Sequence, residues 1–233
     1  MILGLVSDVH GNLPALQALV TEAQRKNKVD LWIVAGDICG HLPFHNEVID
    51  YLKSLPAECI AGNHDLSLIS GENCGLSSAS FEVISKQRNN VSSENLNFLK
   101  QLKTRKTFQH ENTVIEVIHG SIADPIQGRI DSITDDLIEY AKNKVLIFGN
   151  THKQLLRITD ESIIVNPGSV GFPARGLKFA TGVLLDTRKK NVETLEVLYD
   201  KSELLQRLKA LNYPEHYISR VEAVHSMPGS NGE

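Results

Sequence analysis

The residues best suited to chemistry fall in five short polar blocks, each reached at the end of an apolar run. The first is Ser7-Asp8-Val9-His10-Gly11-Asn12, which follows Leu3-Gly4-Leu5-Val6. If that run is a strand, side chains two apart point the same way, so Asp8 and His10 converge on one point at its end. A carboxylate and an imidazole there suit a metal ion, although the same residues could start a turn and cap the next element. A second run, Leu31 to Ala35, stops at Gly36-Asp37, where glycine permits close backbone approach and Asp37 can join the first pair. The third block, Gly62-Asn63-His64-Asp65, is the most specific of the five. Asn63 offers a neutral oxygen to a metal, and the imidazole of His64 beside it can donate a proton. The fourth, His119-Gly120-Ser121, and the fifth, Gly149-Asn150-Thr151-His152, repeat the pattern. His41 and His45 read as surface residues or helix caps.

The elements that must position these blocks alternate between strands and helices. After Asn12, a good N-cap, Leu13-Pro14 opens a helix with Leu16, Leu19, Val20 and Ala23 on one face. Residues 45–54 read as a short helix and Glu58 to Ala61 as a short strand. Residues 66–103 carry little strand character. Phe81 with Ile84, then Leu96, Leu99 and Leu102 after a Ser92-Ser93 cap, mark two helices of an insertion near the site, with Lys100, Lys103, Arg105 and Lys106 as a solvated face. Thr107 to His110 and Thr113 to Ile118 bracket Glu111-Asn112 as a hairpin. A helix over about 131–142 leads to the strand Val145 to Phe148, with further strands near 155–159 and 162–165. Asn166-Pro167-Gly168-Ser169 is a strong turn, and Leu177 to Asp186 pairs with Val192 to Leu198 across Arg188-Lys189-Lys190. Helices near 201–211 and 214–223 close the chain. This predicts one domain over residues 1–225 and a frayed polar tail, 226–233.

Composition removes several function classes. The length of 233 residues is ample for a full core, and 41% hydrophobic with 22% charged residues is ordinary for a globular chain. A net charge of -4 argues against a binder of duplex nucleic acid, which needs a basic surface, so a phosphate substrate would require a local cation. Cys39, Cys59 and Cys74 have no CxxC spacing and are odd in number, which favours neither disulfides nor a zinc knuckle and predicts a reducing cytoplasm. Met1 runs straight into the first strand without a leader-like segment, and no apolar stretch is long enough to span a bilayer. The oligomeric state is left open by the sequence.

In this order, the five blocks resemble the calcineurin-like metallophosphoesterase superfamily, whose pattern is Asp-x-His, Gly-Asp-x-x-Gly, Gly-Asn-His-Asp/Glu, a histidine followed by glycine, and Gly-His-x-His. The resemblance spans residues 1 to about 200. It is strongest to the compact prokaryotic phosphodiesterase branch, through the Ser7 to Leu16 opening and the Asn-Pro-Gly-Ser-Val-Gly turn at 166–171. It implies an α/β fold in four αββα layers, two mixed β-sheets with helices on the outer faces. It also implies two divalent ions, Mn, Fe, Zn or Ni being suited to mixed His, Asp and Asn ligation. Carried over, site one takes Asp8, His10, Asp37 and His152, and site two takes Asp37, Asn63, His119 and residue 150, with Asp37 bridging. The activity implied is hydrolysis of small or nucleotide phosphoesters by a metal-activated hydroxide, with His64 as general acid. The chain departs from the pattern at Asn150, where the family usually has histidine. An amide oxygen is the weaker donor, so site two is the weaker one, and the alternative function is a non-catalytic or weakly active scaffold on the same fold. Arg175, beside the Asn-Pro-Gly-Ser turn, reads as a surface residue, with contact to phosphate as the alternative.

Overall fold

The computed structural model describes residues 1–110, 113–174 and 179–223. The Glu111-Asn112 turn, Arg175, the first residues of the 177–186 strand and the 226–233 tail lie outside the described residues.

The first strand, β1 (Ile2–Val6), sets the architecture because it is buried on both faces. Leu3 and Leu5 enter one apolar layer, and Val6 enters another on the opposite side. Between them Gly4 gives way to Trp32, whose ring would stand 2.5 Å from a Cβ at that position. The chain then forms α1 (Leu13–Lys26), capped by the Asn12 side chain, which accepts from Ala15 N at 3.2 Å. It continues through β2 (Leu31–Val34), α2 (His45–Ser54) and β3 (Ala57–Cys59), with β1, β2 and β3 parallel. Three helices follow, α3 (Asn63–Ser70), α4 (Ser78–Asn90) and α5 (Ser93–Gln101), before the hairpin β4 (Arg105–His110) and β5 (Thr113–Ile118). The second half contains α6 (Asp135–Tyr140), β6 (Lys144–Ile147), β7 (Gln154–Ile158), β8 (Ile163–Pro167), β9 (Ala180–Asp186), β10 (Asn191–Val197), α7 (Ser202–Ala210) and α8 (Glu215–Ala223).

These strands form two mixed five-stranded sheets, ordered β10-β9-β1-β2-β3 and β4-β5-β6-β8-β7. One apolar layer joins Leu3, Leu5, Ile33, Val183 and Leu185 of the first sheet to Ile115, Val117, Val145, Ile147 and Val165 of the second. Residues one register away face outward, Val6, Trp32, Val34 and Leu184 toward α1, α2, α7 and α8, and Ile118, Leu146 and Ile164 toward α6. The αββα order expected from the resemblance is therefore present, but unevenly: α6 alone packs on the outer face of the second sheet among the described helices.

Two sequence expectations shift, and a third gains a partner. The insertion holds three helices because Asn63-His64-Asp65, read as a strand-end loop, is the first turn of α3; the Asp65 carboxylate accepts from Gly62 N at 3.0 Å and closes that turn. Helix α6 is half the length expected, since Thr134 caps it, accepting from Leu137 N at 3.3 Å, and the preceding residues do not enter the helix. Arg105 is exposed, as expected, but it is also paired. It lies on β4 and donates through Nε to the buried Glu116 at 2.8 Å, which also accepts from Tyr140 at 2.8 Å and Lys144 at 2.7 Å.

Candidate metal centre

All five polar blocks leave the C-terminal ends of parallel strands, β1, β2 and β3 in one sheet and β5 and β6 in the other. That is where open α/β sheets leave room for ligands. The convergence of Asp8 and His10 is real, but strand alternation does not cause it. Strand β1 ends at Val6, and Asp8 and His10 both adopt left-handed backbone, with φ of 53° and 50°. Asp37, Asn150 and His152 do the same at 53°, 64° and 59°. Such a conformation costs a non-glycine residue about 1 kcal/mol or more, and its recurrence at five of the predicted site residues marks a constellation that the surrounding fold imposes.

The side chains meet in two overlapping groups. His152 Nε2 lies 3.1 Å from Asp8 Oδ1 and 3.0 Å from His10 Nε2. His119 Nε2 lies 3.3 Å from Asp37 Oδ2, which is itself 3.8 Å from His10 Nε2, so Asp37 stands between the groups. Asn63 presents its amide oxygen 3.2 Å from His119 Nε2. Turned by half a rotation, the amide would instead donate to Asp37 at 3.2 and 3.3 Å, so the oxygen as placed faces a carboxylate. Asp8, His10 and His119 are fully buried, and Asp8 Oδ1 is without a hydrogen bond.

The imidazoles are oriented in the same sense. Nδ1 of His10, His119 and His152 lies 3.2, 2.8 and 2.5 Å from the carbonyls of Cys39, Ala35 and Phe172. With Nδ1–H donated to backbone, each ring turns Nε2 toward the carboxylates, the tautomer a metal-ligating histidine needs. Buried carboxylate oxygens, imidazole Nε2 atoms and an amide oxygen aimed at one another favour positive charge among them, and divalent ions fit that donor set. The electrostatics agree. Burial lowers the His119 pKa, but the charge of Asp37 and its hydrogen bond outweigh burial and raise it. For Asp37, burial, which raises the pKa, is outweighed by His119 and His64, and the carboxyl is held low.

His64 sits at the edge of this group, its Nε2 3.9 Å from Asp37 Oδ2 and its Nδ1 buried without a partner. Its backbone N–H donates to Asp37 Oδ1 at 2.9 Å, so the start of α3 also fixes the carboxylate. Gly40 makes the close approach possible: at φ +144° it lies where a Cβ would stand 2.4 Å from His10 Nδ1 and 2.8 Å from His64 Nδ1.

Asn150 reaches the rim by its backbone, N–H donating to Asp8 Oδ2 at 3.1 Å. Its side-chain nitrogen donates away from the centre, to the carbonyls of Gln127 and Gly128 at 3.1 and 2.8 Å. Sequence reasoning read His41 as a surface residue or helix cap, and the structure instead packs its ring beside the centre. The His41 ring packs 4.4 Å from His10 and 4.7 Å from His64, stacked on Phe172 at 4.3 Å. Its loop is folded inward because Gln87 of α4 donates to Leu42 O at 2.8 Å and accepts from Gly40 N at 3.2 Å. His45 is buried on α2 as its first residue, with no side-chain cap. Sequence reasoning also missed Asp65, whose two oxygens accept from Ile38, Cys39 and Gly62 and tie the second block to the third. Burial, then the charge of Asp37, raises its pKa. The signal for Asp65 was its place as the last residue of Gly-Asn-His-Asp; for His41 no local pattern existed. The Asn-Pro-Gly-Ser-Val-Gly turn braces Asp8 from behind, Ser169 Oγ donating to Asp8 O at 2.8 Å and Asp8 O also accepting from Gly171 N at 3.0 Å.

Known proteins share this fold. The chain superposes on a crystal structure of the Pyrococcus horikoshii protein PH1004 with a TM-score of 0.86, at 22% identity and over 97% of this chain and 99% of that one. A metallophosphoesterase from Sphaerobacter thermophilus superposes with a TM-score of 0.80, at 24% identity and the same coverage. In sequence, the chain is 26% identical over 201 residues to phosphodiesterase MJ0936 of Methanocaldococcus jannaschii, covering 82% of this chain and 95% of the relative. The calcineurin-like phosphoesterase superfamily domain matches residues 1–190. With the five blocks gathered at the strand ends and the two mixed sheets that carry them, the chain belongs to the calcineurin-like phosphoesterase superfamily and is a phosphoric ester hydrolase.

Proposed function

We propose that this protein hydrolyses small phosphoesters, mono- or diesters including nucleotides, at two divalent ions. The observation that carries the reading is the common orientation of His10, His119 and His152, each with Nδ1 at a backbone carbonyl and Nε2 turned toward Asp8 or Asp37. Site one is assigned to Asp8, His10, Asp37 and His152, and site two to Asp37, Asn63, His119 and Asn150. When bound, the ions supply positive charge for the phosphoryl oxygens and activate water as the nucleophile. Asp37 is shared between the two, and the backbone N–H of His64 keeps its second oxygen in place. His64 has no ligand role here; it holds a proton for the departing oxygen. Mn, Fe, Zn and Ni all suit this donor set, Mn the more so where Asn150 replaces a nitrogen ligand. Among the described residues all three cysteines are free thiols and no helix is long and apolar enough to cross a membrane; the first of these supports a reducing, cytoplasmic setting.

The test is turnover of bis(nitrophenyl) phosphate, nitrophenyl phosphate and a nucleotide panel by protein reconstituted with each metal. A second reading, a scaffold with little or no activity, is favoured by the Asn150 side-chain nitrogen, committed to Gln127 and Gly128. Absence of turnover with every divalent metal would establish that reading in place of the first.

A further inference from the structure

The family domain ends at residue 190, yet α8, beyond it, reaches back to the metal centre. The Arg220 guanidinium lies over the Phe172 ring, 3.7 Å from its centre, and Nη2 donates to Pro173 O at 2.9 Å. The same Phe172 ring stacks on His41 at an interplanar angle of 29°. Tyr217, one turn earlier on α8, is buried against the same two rings, 5.8 Å from His41 and 5.9 Å from Phe172. Between these contacts lies the Phe172 carbonyl, 2.5 Å from His152 Nδ1. That peptide ends in proline and has no N–H of its own to anchor it, so the carbonyl is aimed by the groups that grip Phe172 and Pro173 from either side. On the inner side the grip is Phe172 N–H to Ser169 Oγ, at 2.9 Å; on the outer side it is Arg220.

We propose that Arg220, supported by Tyr217, is a positioning residue for the metal centre: α8 clamps Phe172–Pro173, and through the Phe172 carbonyl it sets how tightly the ion assigned to His152 is held. The inference rests on the reading of His152 as a ligand. Loss of a group that directly orients a ligating histidine weakens metal binding about 10- to 100-fold, and Arg220 acts one contact further out, so about 3- to 10-fold is expected.

Full-length protein and the variants Arg220→Met, Arg220→Lys and His152→Ala are titrated with Co²⁺, with bound stoichiometry and visible absorption followed together. Arg220→Met keeps the aliphatic stem but removes the donor and the charge. It should weaken one Co²⁺ by about 3- to 10-fold and alter the absorption band, while the unfolding midpoint in EDTA stays that of the parent. Arg220→Lys, which keeps a cation and a donor, should fall between the two. Parental affinity and spectrum in Arg220→Met, alongside loss of one ion in His152→Ala, would overturn the clamp and leave the ligand reading standing. Weakened binding matched by a lower midpoint in EDTA would also overturn it, since the role would then be structural. Two ions still bound at parental strength in His152→Ala would remove the ligand reading, and the clamp with it.

Discussion

His64 and Asn150 are the two residues whose roles can be separated most cleanly. His64 adjoins Asp37 without joining the donors, and the general-acid task proposed for it matters most when the leaving oxygen is basic. His64→Ala should lower turnover about 10²- to 10⁴-fold on alkyl or nucleoside esters and much less on nitrophenyl esters, with metal content unchanged. Equal losses on both substrate types would take that role away. Asn150→His adds the imidazole that the family pattern has at this position. The backbone there is already left-handed, as it is at His10 and His152, so histidine adds little conformational cost; its loss is the pair of bonds to Gln127 and Gly128. We expect the second ion to bind about 10- to 100-fold more tightly and half-maximal rate to come at lower metal concentration. Two equally tight sites in the unmodified protein would refute the weak-site argument. Asp8, His10, Asp37, Asn63, His64, His119 and His152 were legible because their residue types are unusual at the ends of apolar runs. His41 was not, because the residues that bury it, Gln87, Phe172 and Tyr217, are all distant in sequence.

Strand order within each sheet depends on long-range pairing, whereas most strands and helices announced themselves locally through apolar period and caps. Asn12 and Ser92 each accept from a backbone N–H at the start of their helices, and the two closing helices lie close to their expected spans. Where the reading slipped, chemistry and structure shared residues: Asn63-His64-Asp65 looked like a polar loop because its side chains serve the site, and the helix it opens was hidden. Arg105 is exposed as read, but its partner, Glu116, was hidden because it lies across the β4–β5 hairpin. Burial raises the Glu116 pKa, but hydrogen bonds from Lys144, Tyr140 and Arg105 outweigh it and hold the carboxyl below its usual value. A carboxyl depressed in the folded state stabilises the fold above its unfolded pKa and loses that contribution as pH falls through the folded value. Glu116→Gln should therefore cost about 1–3 kcal/mol near pH 7, and the gap from the parent should close below about pH 4, as followed by urea unfolding across pH. A gap independent of pH would show that the carboxylate charge contributes nothing.

Taken whole, the molecule builds one centre from two sheets, with Asp37 the residue assigned to both ions. Asp37→Ala should deplete both together while far-UV circular dichroism stays unchanged, since β2 is held by its own apolar packing; finding two ions still bound would show the assignment to be misplaced. The donors after β1, β2 and β3 meet those after β5 and β6 only when the inter-sheet layer has its full thickness and no more. Val183 lies in that layer, opposite Leu5 in the β1–β9 pairing, and is not one of the assigned donors. Enlarging it, as in Val183→Phe, forces the layer to accommodate extra volume, at about 1–3 kcal/mol of stability. It should also weaken metal binding, measured by titration of the folded variant, without altering one ligand. Unchanged affinity in a destabilised Val183→Phe protein would show that the loops absorb the strain. On the expected outcome, metal affinity in this fold would gauge the spacing of its hydrophobic core, and mutations far from the centre would tune or detune it through volume alone.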